Sequence, residues 1–185
     1  MAPPWTLRIA TPSDAPAIAT VHLRSWQTAY RGIFSDAFLD GMMDGLALRT
    51  ERWHAGLTVP VPADSRAYVL EVPGHGMVGF VSCGSAREDH AGYPGELYAI
   101  YLLAEHRGQG FGRVLFDACR TYLVNLGHKR FYLWVIDRNP TCGFYRALGG
   151  TVIPGQTKLA TIGGTPVTEI AFGWTGESMP EQLRS

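Results

Sequence analysis

The stretch ELYAIYLLAEHRGQGFGR, residues 96–113, decides how the chain folds. Its first part, 96–103, is largely apolar and predicts a buried central strand. A turn follows in which glycine alternates with other residues over 108–112. Apolar residues then recur at helical spacing, so we expect a long helix that ends near Gly127. The order of strand, glycine turn and long helix predicts an α/β domain.

The glycine turn has the composition of an anion-binding loop. Glycine permits a tight bend and leaves room, so several N–H groups at the helix start can converge on a phosphate or pyrophosphate. Arg107 and Arg113 flank the turn and would add charge-assisted contacts. A Walker A loop needs Gly-Lys-Ser/Thr, which is absent from this turn. A dinucleotide-binding fold has GxGxxG after its first strand, whereas this chain has GxGxG after its fourth predicted strand. A connection without a ligand is the remaining alternative.

The flanking sequence predicts further strands and helices around this unit. Strands are expected at 7–9, 67–71, 77–83, 130–136, 151–158 and 166–174, and helices at 17–26, at 35–54 with breaks near Gly41 and Gly45, and at 139–149 with Asn139 as cap and Pro140 first. Clusters rich in glycine and proline at 73–76 and 163–164 predict two hairpin turns. We expect one domain over 1–175 and a loose tail over 176–185.

Composition excludes several classes of protein. A length of 185 residues predicts one compact domain. The 16 basic and 16 acidic residues cancel, so composition gives no argument for a nucleic acid or membrane partner, although 105–130 is locally basic. The three cysteines are odd in number and show no metal-ligand spacing, which favours a reducing compartment without disulfides or metal. No leader-like or membrane-length apolar run is present, and we expect a soluble, cytoplasmic protein.

The motifs together resemble a known family. Residues 107–112 fit the Q/R-x-x-G-x-G/A signature of the GNAT superfamily of N-acetyltransferases. The run 96–113 looks like that family's fourth strand and third helix, and NPTCGFYRALGG (139–150) looks like the helix near its catalytic centre. RSWQTAYRGIFSDAFLD (24–40) resembles one branch of the family. The resemblance covers nearly the whole chain, with one departure at Ala104, where the family usually has proline.

The resemblance implies both a fold and an activity. The fold is mixed α/β (α+β): a central, mostly antiparallel sheet of six to seven strands flanked by about four helices, with splayed fourth and fifth strands. The activity is transfer of the acetyl group of acetyl-CoA to a primary amine of a small molecule or peptide, by direct attack in a ternary complex and without metal. A non-catalytic acyl-CoA-binding or sensing module and an acyltransferase for a longer acyl-CoA are the alternatives. A homodimer through the C-terminal strands is also compatible with the resemblance.

The resemblance also implies a set of cofactor-binding residues. The pantetheine arm would meet main-chain groups of two residues on the central strand, and the pyrophosphate would meet the glycine turn. The complete set is Ile100, Leu102, Arg107, Gly108, Gln109, Gly110, Gly112, Arg113 and Asn139. Ile100 and Leu102 are equally core positions, and Asn139 is equally a helix N-cap.

Two catalytic residues are implied as well. Tyr145 matches the family's tyrosine near the sulfur and would act as general acid, a modest task because a thiol has a pKa of about 8.5. Its alternative is an aromatic core position. Glu96, at the start of the central strand, is the carboxylate best placed to accept the amine proton through water; its alternative is a solvated strand end, and His22 is the next candidate. Cys142 is interpreted as a packing residue.

The acceptor is expected between the early helices and the later hairpin. Trp26 and Tyr30 lie in the region that covers substrate in the family, and Tyr98 shares the strand face of Glu96. Trp26 also continues the apolar stripe of the first helix. Nothing in the sequence names the amine.

Overall fold

The computed structural model describes residues 4–88, 90 and 92–175. The predicted tail therefore lies outside the described residues. The strands are β1 (Thr6–Ile9), β2 (Arg66–Val72), β3 (Gly76–Ser85), β4 (Gly95–Leu102), β5 (Phe131–Ile136), β6 (Thr151–Ile162) and β7 (Thr165–Trp174). The helices are α1 (Ala15–Ala29), α2 (Asp36–Asp40), α3 (Leu46–Thr58), α4 (Phe111–Asn125) and α5 (Cys142–Ala147).

The seven strands form one sheet in the order β1-β2-β3-β4-β5-β7-β6. All neighbouring pairs are antiparallel except β4 and β5, which are parallel. The predicted fold class is thus confirmed. No helix among the described residues is long and apolar enough to cross a membrane.

The parallel pair of strands separates soon after it starts. β4 and β5 are paired only at Gly95 with Phe131 and at Glu96 with Tyr132. On its other side β4 has a bulge, because Ser82 faces Ala99 while Cys83 faces Leu97. A bulge adds twist and bend to a strand, which turns the rest of β4 away from β5. This is the splay that the resemblance predicted.

Apolar clusters cover the sheet on its two faces. On one face α4 packs against the sheet through residues such as Leu115, Phe116 and Leu123, together with residues of α5. On the other face Ile18 and Val21 of α1 pack on Phe80, and α3 packs against α1. The opening between β4 and β5 therefore has helices on both sides.

Two helices differ from their sequence-predicted bounds. The helix expected at 35–54 is divided into α2 and α3 by a 3-10 turn over Gly41–Gly45, as the two glycines indicated. The helix expected at 139–149 begins only at Cys142. The reason is local: Asn139 Oδ1 accepts the Thr141 N–H at 2.9 Å, which forms a turn before the helix. The last hairpin turns at Gly163 and Gly164 as expected, with β6 extended to Ile162.

Candidate active site

The separation of β4 from β5 opens a cavity of about 520 Å³. Five parts of the chain line it: the end of α1, the length of β4 after its pairing stops, the glycine turn, the middle of β5 and α5. The lining residues are Ser25, Ala29, Tyr30, Leu97, Tyr98, Ala99, Ile100, Tyr101, Leu102, Arg107, Gly108, Gly110, Gly112, Arg113, Leu133, Trp134, Val135, Asn139, Thr141, Phe144, Tyr145, Ala147 and Leu148. Most of the residues predicted to bind cofactor are thus brought to one cavity.

The glycine turn presents backbone donors to this cavity. Gly108 and Gly110 have φ of +74° and +84°, in the left-handed region that glycine adopts without strain. The Gly110 carbonyl accepts the N–H groups of Arg113 and Val114, so the first N–H groups of α4 are left without a helical partner. A Cβ at Gly112 would lie 3.2 Å from the Phe144 ring, so a larger residue at this position would require that ring to move by a few tenths of an ångström. The helix start can therefore receive an anion.

The flanking polar residues of the turn differ in position. Arg107 and Arg113 both line the cavity. Arg107 reaches Thr28 Oγ1 only at 3.5 Å, and Arg113 has no ion pair in the part of the chain that the structure describes. Gln109 is exposed, donates to the Glu105 carbonyl at 3.4 Å and does not line the cavity. Two guanidinium groups are therefore available to a phosphate-bearing ligand.

A group of tyrosines forms the other wall. Tyr145, Tyr30 and Tyr101 all line the cavity, and burial is the main cause that raises the pKa of each hydroxyl above its usual value. The Asn139 side chain lies within hydrogen-bonding reach of the Tyr30 hydroxyl. Trp26, which does not line the cavity, donates from Nε1 to the Tyr101 hydroxyl at 2.8 Å. All three phenols therefore stay protonated at neutral pH and can serve as donors.

Glu96 lies beside the cavity and does not line it. Its side chain is 3% exposed and forms an ion pair with Arg87. The backbone N–H and Nε of Arg87 donate to Glu96 Oε2 at 3.0 and 3.1 Å, and Nη2 donates to Oε1. These contacts raise the pKa of Arg87. The Glu96 carboxylate is thus occupied by a cation and by a backbone donor.

The same guanidinium connects Glu96 to Tyr98. Arg87 lies 4.6 Å from the centre of the Tyr98 ring. Tyr98 lines the cavity, donates to the Ser85 carbonyl at 2.6 Å, and has its pKa raised by burial to about 12. Tyr98 and Glu96 therefore belong to one ordered group at the start of β4, of which only Tyr98 reaches the cavity.

Several lining residues were not predicted from the sequence. Ser25 and Ala29 lie one turn apart on α1 and therefore on the same side of the helix. The helical periodicity of the sequence already indicated that these two positions lie together. Ser25 is 1% exposed and its Oγ has no hydrogen-bond partner among the described residues. Trp134 and Phe144 enter because β5 and α5 are brought to the cavity by the tertiary fold, for which local sequence has no signal.

Comparison with known proteins gives one family. The model of the acetyltransferase (GNAT) family matches residues 23–149. The uncharacterized N-acetyltransferase YuaI of Bacillus subtilis is 32% identical over 169 residues, covering 91% of this chain and 92% of that protein.

Solved structures share the fold at lower identity. PaiA N-acetyltransferase of Thermoplasma acidophilum, solved with coenzyme A, has a TM-score of 0.64 at 17% identity, covering 90% of this chain and 97% of that one. YncA of Salmonella typhimurium, a putative acetyltransferase solved with acetyl-CoA, has a TM-score of 0.64 at 19% identity, covering 93% and 94%.

Proposed function

The chain belongs to the acetyltransferase (GNAT) family and is an acetyl-CoA-dependent acyltransferase; we propose that its acceptor is a primary amine of a small molecule or peptide. The observation that carries the proposal is the composition of one cavity. The glycine turn with Arg107 and Arg113 and the buried phenol of Tyr145 line the same space. In this proposal a phosphate-bearing thioester uses both features, the turn for its phosphates and the phenol as the proton donor to its sulfur.

The residues present fit acetyl-CoA as cosubstrate. The turn leaves helix-start N–H groups and two guanidinium groups for the phosphates. Ile100 and Leu102 lie on the part of β4 that has no pairing with β5, so their backbone groups are available to amides of an extended arm. Asn139, buried beside Tyr30, would lie along the same arm. The side chain of Gln109 is exposed, and its place in this set stays a prediction.

The chemistry is acyl transfer from sulfur to nitrogen. Acetyl-CoA supplies a thioester whose carbonyl carbon forms a bond to the amine nitrogen while its bond to sulfur breaks. In our proposal Tyr145 donates its hydroxyl proton to the departing thiolate. The proton that the amine loses on acylation then restores the phenol. Burial raises the pKa of Tyr145 and so keeps the phenol protonated before transfer.

The proton acceptor is a separate question. The Arg87 contacts occupy the carboxylate of Glu96 and favour a structural ion pair at the start of β4. The role of Glu96 as general base stays a prediction. Because only Tyr98 of this group lines the cavity, a proton that travels through water from the amine to Glu96 would have to pass Tyr98. We propose that Trp26 acts on the acceptor site indirectly, because its hydrogen bond positions Tyr101. Tyr30 and Tyr98, which line the cavity, are proposed to contact the acceptor itself.

Binding and turnover test the proposal separately. Titration calorimetry with acetyl-CoA should give a dissociation constant at or below roughly tens of micromolar. Free CoA should then be released faster in the presence of an amine than by hydrolysis. Absence of heat removes the cofactor assignment, whereas binding without release for any amine favours an acyl-CoA sensor. Equal rates with acetyl-, propionyl- and succinyl-CoA would contradict the acetyl preference.

We also propose a cytoplasmic location and no nucleic acid or membrane partner. The three cysteines, which are free and buried, and the neutral net charge support this. A homodimer through the C-terminal strands is proposed from the resemblance alone. Sedimentation velocity at micromolar concentration, with and without acetyl-CoA, would show a species of one chain if that is wrong.

A further inference from the structure

The hydroxyl of Ser25 is a polar group of the cavity wall that no described residue satisfies. Ser25 lies on α1, is 1% exposed and lines the cavity. Its Oγ is buried and has no hydrogen-bond partner in the part of the chain that the structure describes. Resting on the proposed function, we propose that Ser25 forms a hydrogen bond to an amide of the pantetheine arm of acetyl-CoA. The first helix would then supply a residue that binds the cosubstrate.

The other hydroxyls of α1 show what a hydroxyl on this helix ordinarily does. Thr20 Oγ1 donates to the Pro16 carbonyl at 2.9 Å, and Thr28 Oγ1 donates to the Ser25 carbonyl at 3.1 Å. A carbonyl of the preceding turn is the usual partner of a serine or threonine inside a helix. Ser25 forms no such bond. Its hydroxyl is therefore not committed to its own helix.

Two contacts place Ser25 beside the segment that leads into the glycine turn. Arg24 Nη2 donates to Glu105 Oε1 at 3.1 Å, and Arg107 Nη2 reaches Thr28 Oγ1 at 3.5 Å. Ser25 lies between Arg24 and Thr28 along the helix. Glu105 and Arg107 come directly before the glycines of the turn. Ser25 therefore meets the cavity on the side where we place the cosubstrate.

The neighbours of Ser25 on α1 have other roles. Trp26, the next residue, does not line the cavity and donates from Nε1 to the Tyr101 hydroxyl at 2.8 Å. Ala29, one turn later, lines the cavity and has no polar side-chain atom. Ser25 is thus the residue of α1 that can offer a side-chain hydrogen bond to a ligand in this cavity.

The chemistry of the hydroxyl favours the arm over the phosphates. A buried hydroxyl without a partner is costly, and a ligand group that bonds to it recovers that cost. Serine Oγ can donate one hydrogen bond and accept others, so it suits either the carbonyl or the N–H of a neutral amide. The charged phosphates have the guanidinium groups of Arg107 and Arg113, which line the same cavity. The unpaired backbone of β4 at Ile100 and Leu102 is available to the same arm.

Two ligands that differ in the arm provide the first test. Calorimetry compares acetyl-CoA with ADP 3′-phosphate, which has the nucleotide and the pyrophosphate but lacks the arm. Ser25→Ala should raise the dissociation constant of acetyl-CoA roughly two- to tenfold, because one hydrogen bond to the arm is lost, and should leave that of ADP 3′-phosphate unchanged.

Each other outcome of this titration overturns a stated part of the argument. Equal increases for both ligands would assign the hydroxyl to the phosphates and overturn its assignment to the arm. Unchanged dissociation constants for both ligands would overturn the contact altogether, while the proposed function would stand. Failure of the wild-type protein to bind acetyl-CoA would refute the proposed function, and this inference with it.

Thermal unfolding without ligand provides a second test that is independent of turnover. Ser25→Ala deletes a hydroxyl that lacks a partner, so the melting temperature should rise by roughly 3 °C or more, compared with roughly 1–2 °C from helix propensity alone. The matched control is Thr20→Val, which deletes a hydroxyl that has a partner and lies outside the cavity wall. It should raise neither the melting temperature nor the dissociation constant of acetyl-CoA.

The two variants together decide the role of the hydroxyl. A rise for Ser25→Ala no larger than helix propensity gives would show that the hydroxyl already has a partner in the free protein, and would overturn the inference. An equal loss of acetyl-CoA affinity in Thr20→Val would do the same, because the effect would then belong to α1 as a whole and not to Ser25.

Discussion

Replacing Gly110 with alanine tests whether the glycine turn binds the phosphates of acetyl-CoA, because the effect on protein stability and the effect on ligand affinity can be measured separately. Gly110 has φ of +84°, and nothing lies within 4 Å of the place that an added Cβ would take. The substitution Gly110→Ala is therefore free of clashes, and its cost is the left-handed backbone of an alanine, about 1–2 kcal/mol. In a chain of 185 residues this lowers the melting temperature by about 2–8 °C.

Gly127 provides a control with the same backbone. Its φ is +87°, and nothing lies within 4 Å of an added Cβ. It follows the C-terminal end of α4 and is absent from the cavity wall. Gly127→Ala should therefore lower the melting temperature about as much as Gly110→Ala, through the same strain, with no effect on a ligand held at the start of α4.

The two variants should differ in affinity for acetyl-CoA. The methyl at residue 110 enters the open space of the turn where we place the pyrophosphate, and strain there displaces the N–H groups that bind it. Calorimetry should show a dissociation constant about tenfold higher for Gly110→Ala, or about 1.4 kcal/mol, and one unchanged for Gly127→Ala. Equal dissociation constants for the two variants would refute the assignment of the turn as the phosphate site.

Three further changes test the remaining parts of the site. Tyr145→Phe should lower kcat at least about tenfold with little change in the dissociation constant of acetyl-CoA, because only the proton donor is lost; unchanged kcat in stopped-time assays rejects the acid role. Glu96→Gln should lower unfolding stability by about 1–3 kcal/mol in denaturant titrations, because the half-exposed Arg87 loses its anion; if Glu96 is also the base, kcat will fall as well. Burial lowers the pKa of His22 from 6.5 to about 3, so the unfolded chain takes up the proton first; stability is complete above pH 6.5 and falls below it, by about 2 kcal/mol at pH 5, and His22→Gln should flatten that dependence in denaturant titrations.

The order of elements was predictable because it depends on local patterns. The succession of strand, glycine turn and helix over 96–125 can be read from the sequence in two ways. The spacing of apolar residues indicates the strand and the helix, and the glycines indicate the tight turn between them. The same patterns placed Gly41 and Gly45 at the break between α2 and α3. They misplaced the start of α5, because the side chain of Asn139 competes for the backbone N–H of Thr141 and delays the helix.

The environment of Glu96 could not be predicted from local sequence. Arg87 lies nine residues earlier, and its approach depends on how β3 pairs with β4, with Ser85 opposite Gly95. A one-residue change of register would place Glu96 on the opposite face.

The bulge at Tyr98 relates the fold to its chemistry. β4 is a central strand, and its edge toward β5 would normally be satisfied by a complete ladder. The bulge turns β4 away after two paired residues, so the backbone groups of the next residues face a cavity instead of a strand. An unpaired buried backbone group costs about 1–3 kcal/mol. We therefore expect another hydrogen-bond partner to satisfy these groups. An extended amide-bearing arm is such a partner, and the buried phenols line the same cavity. The same interruption of the ladder therefore opens the space for a cosubstrate and leaves the donors and acceptors that would hold it.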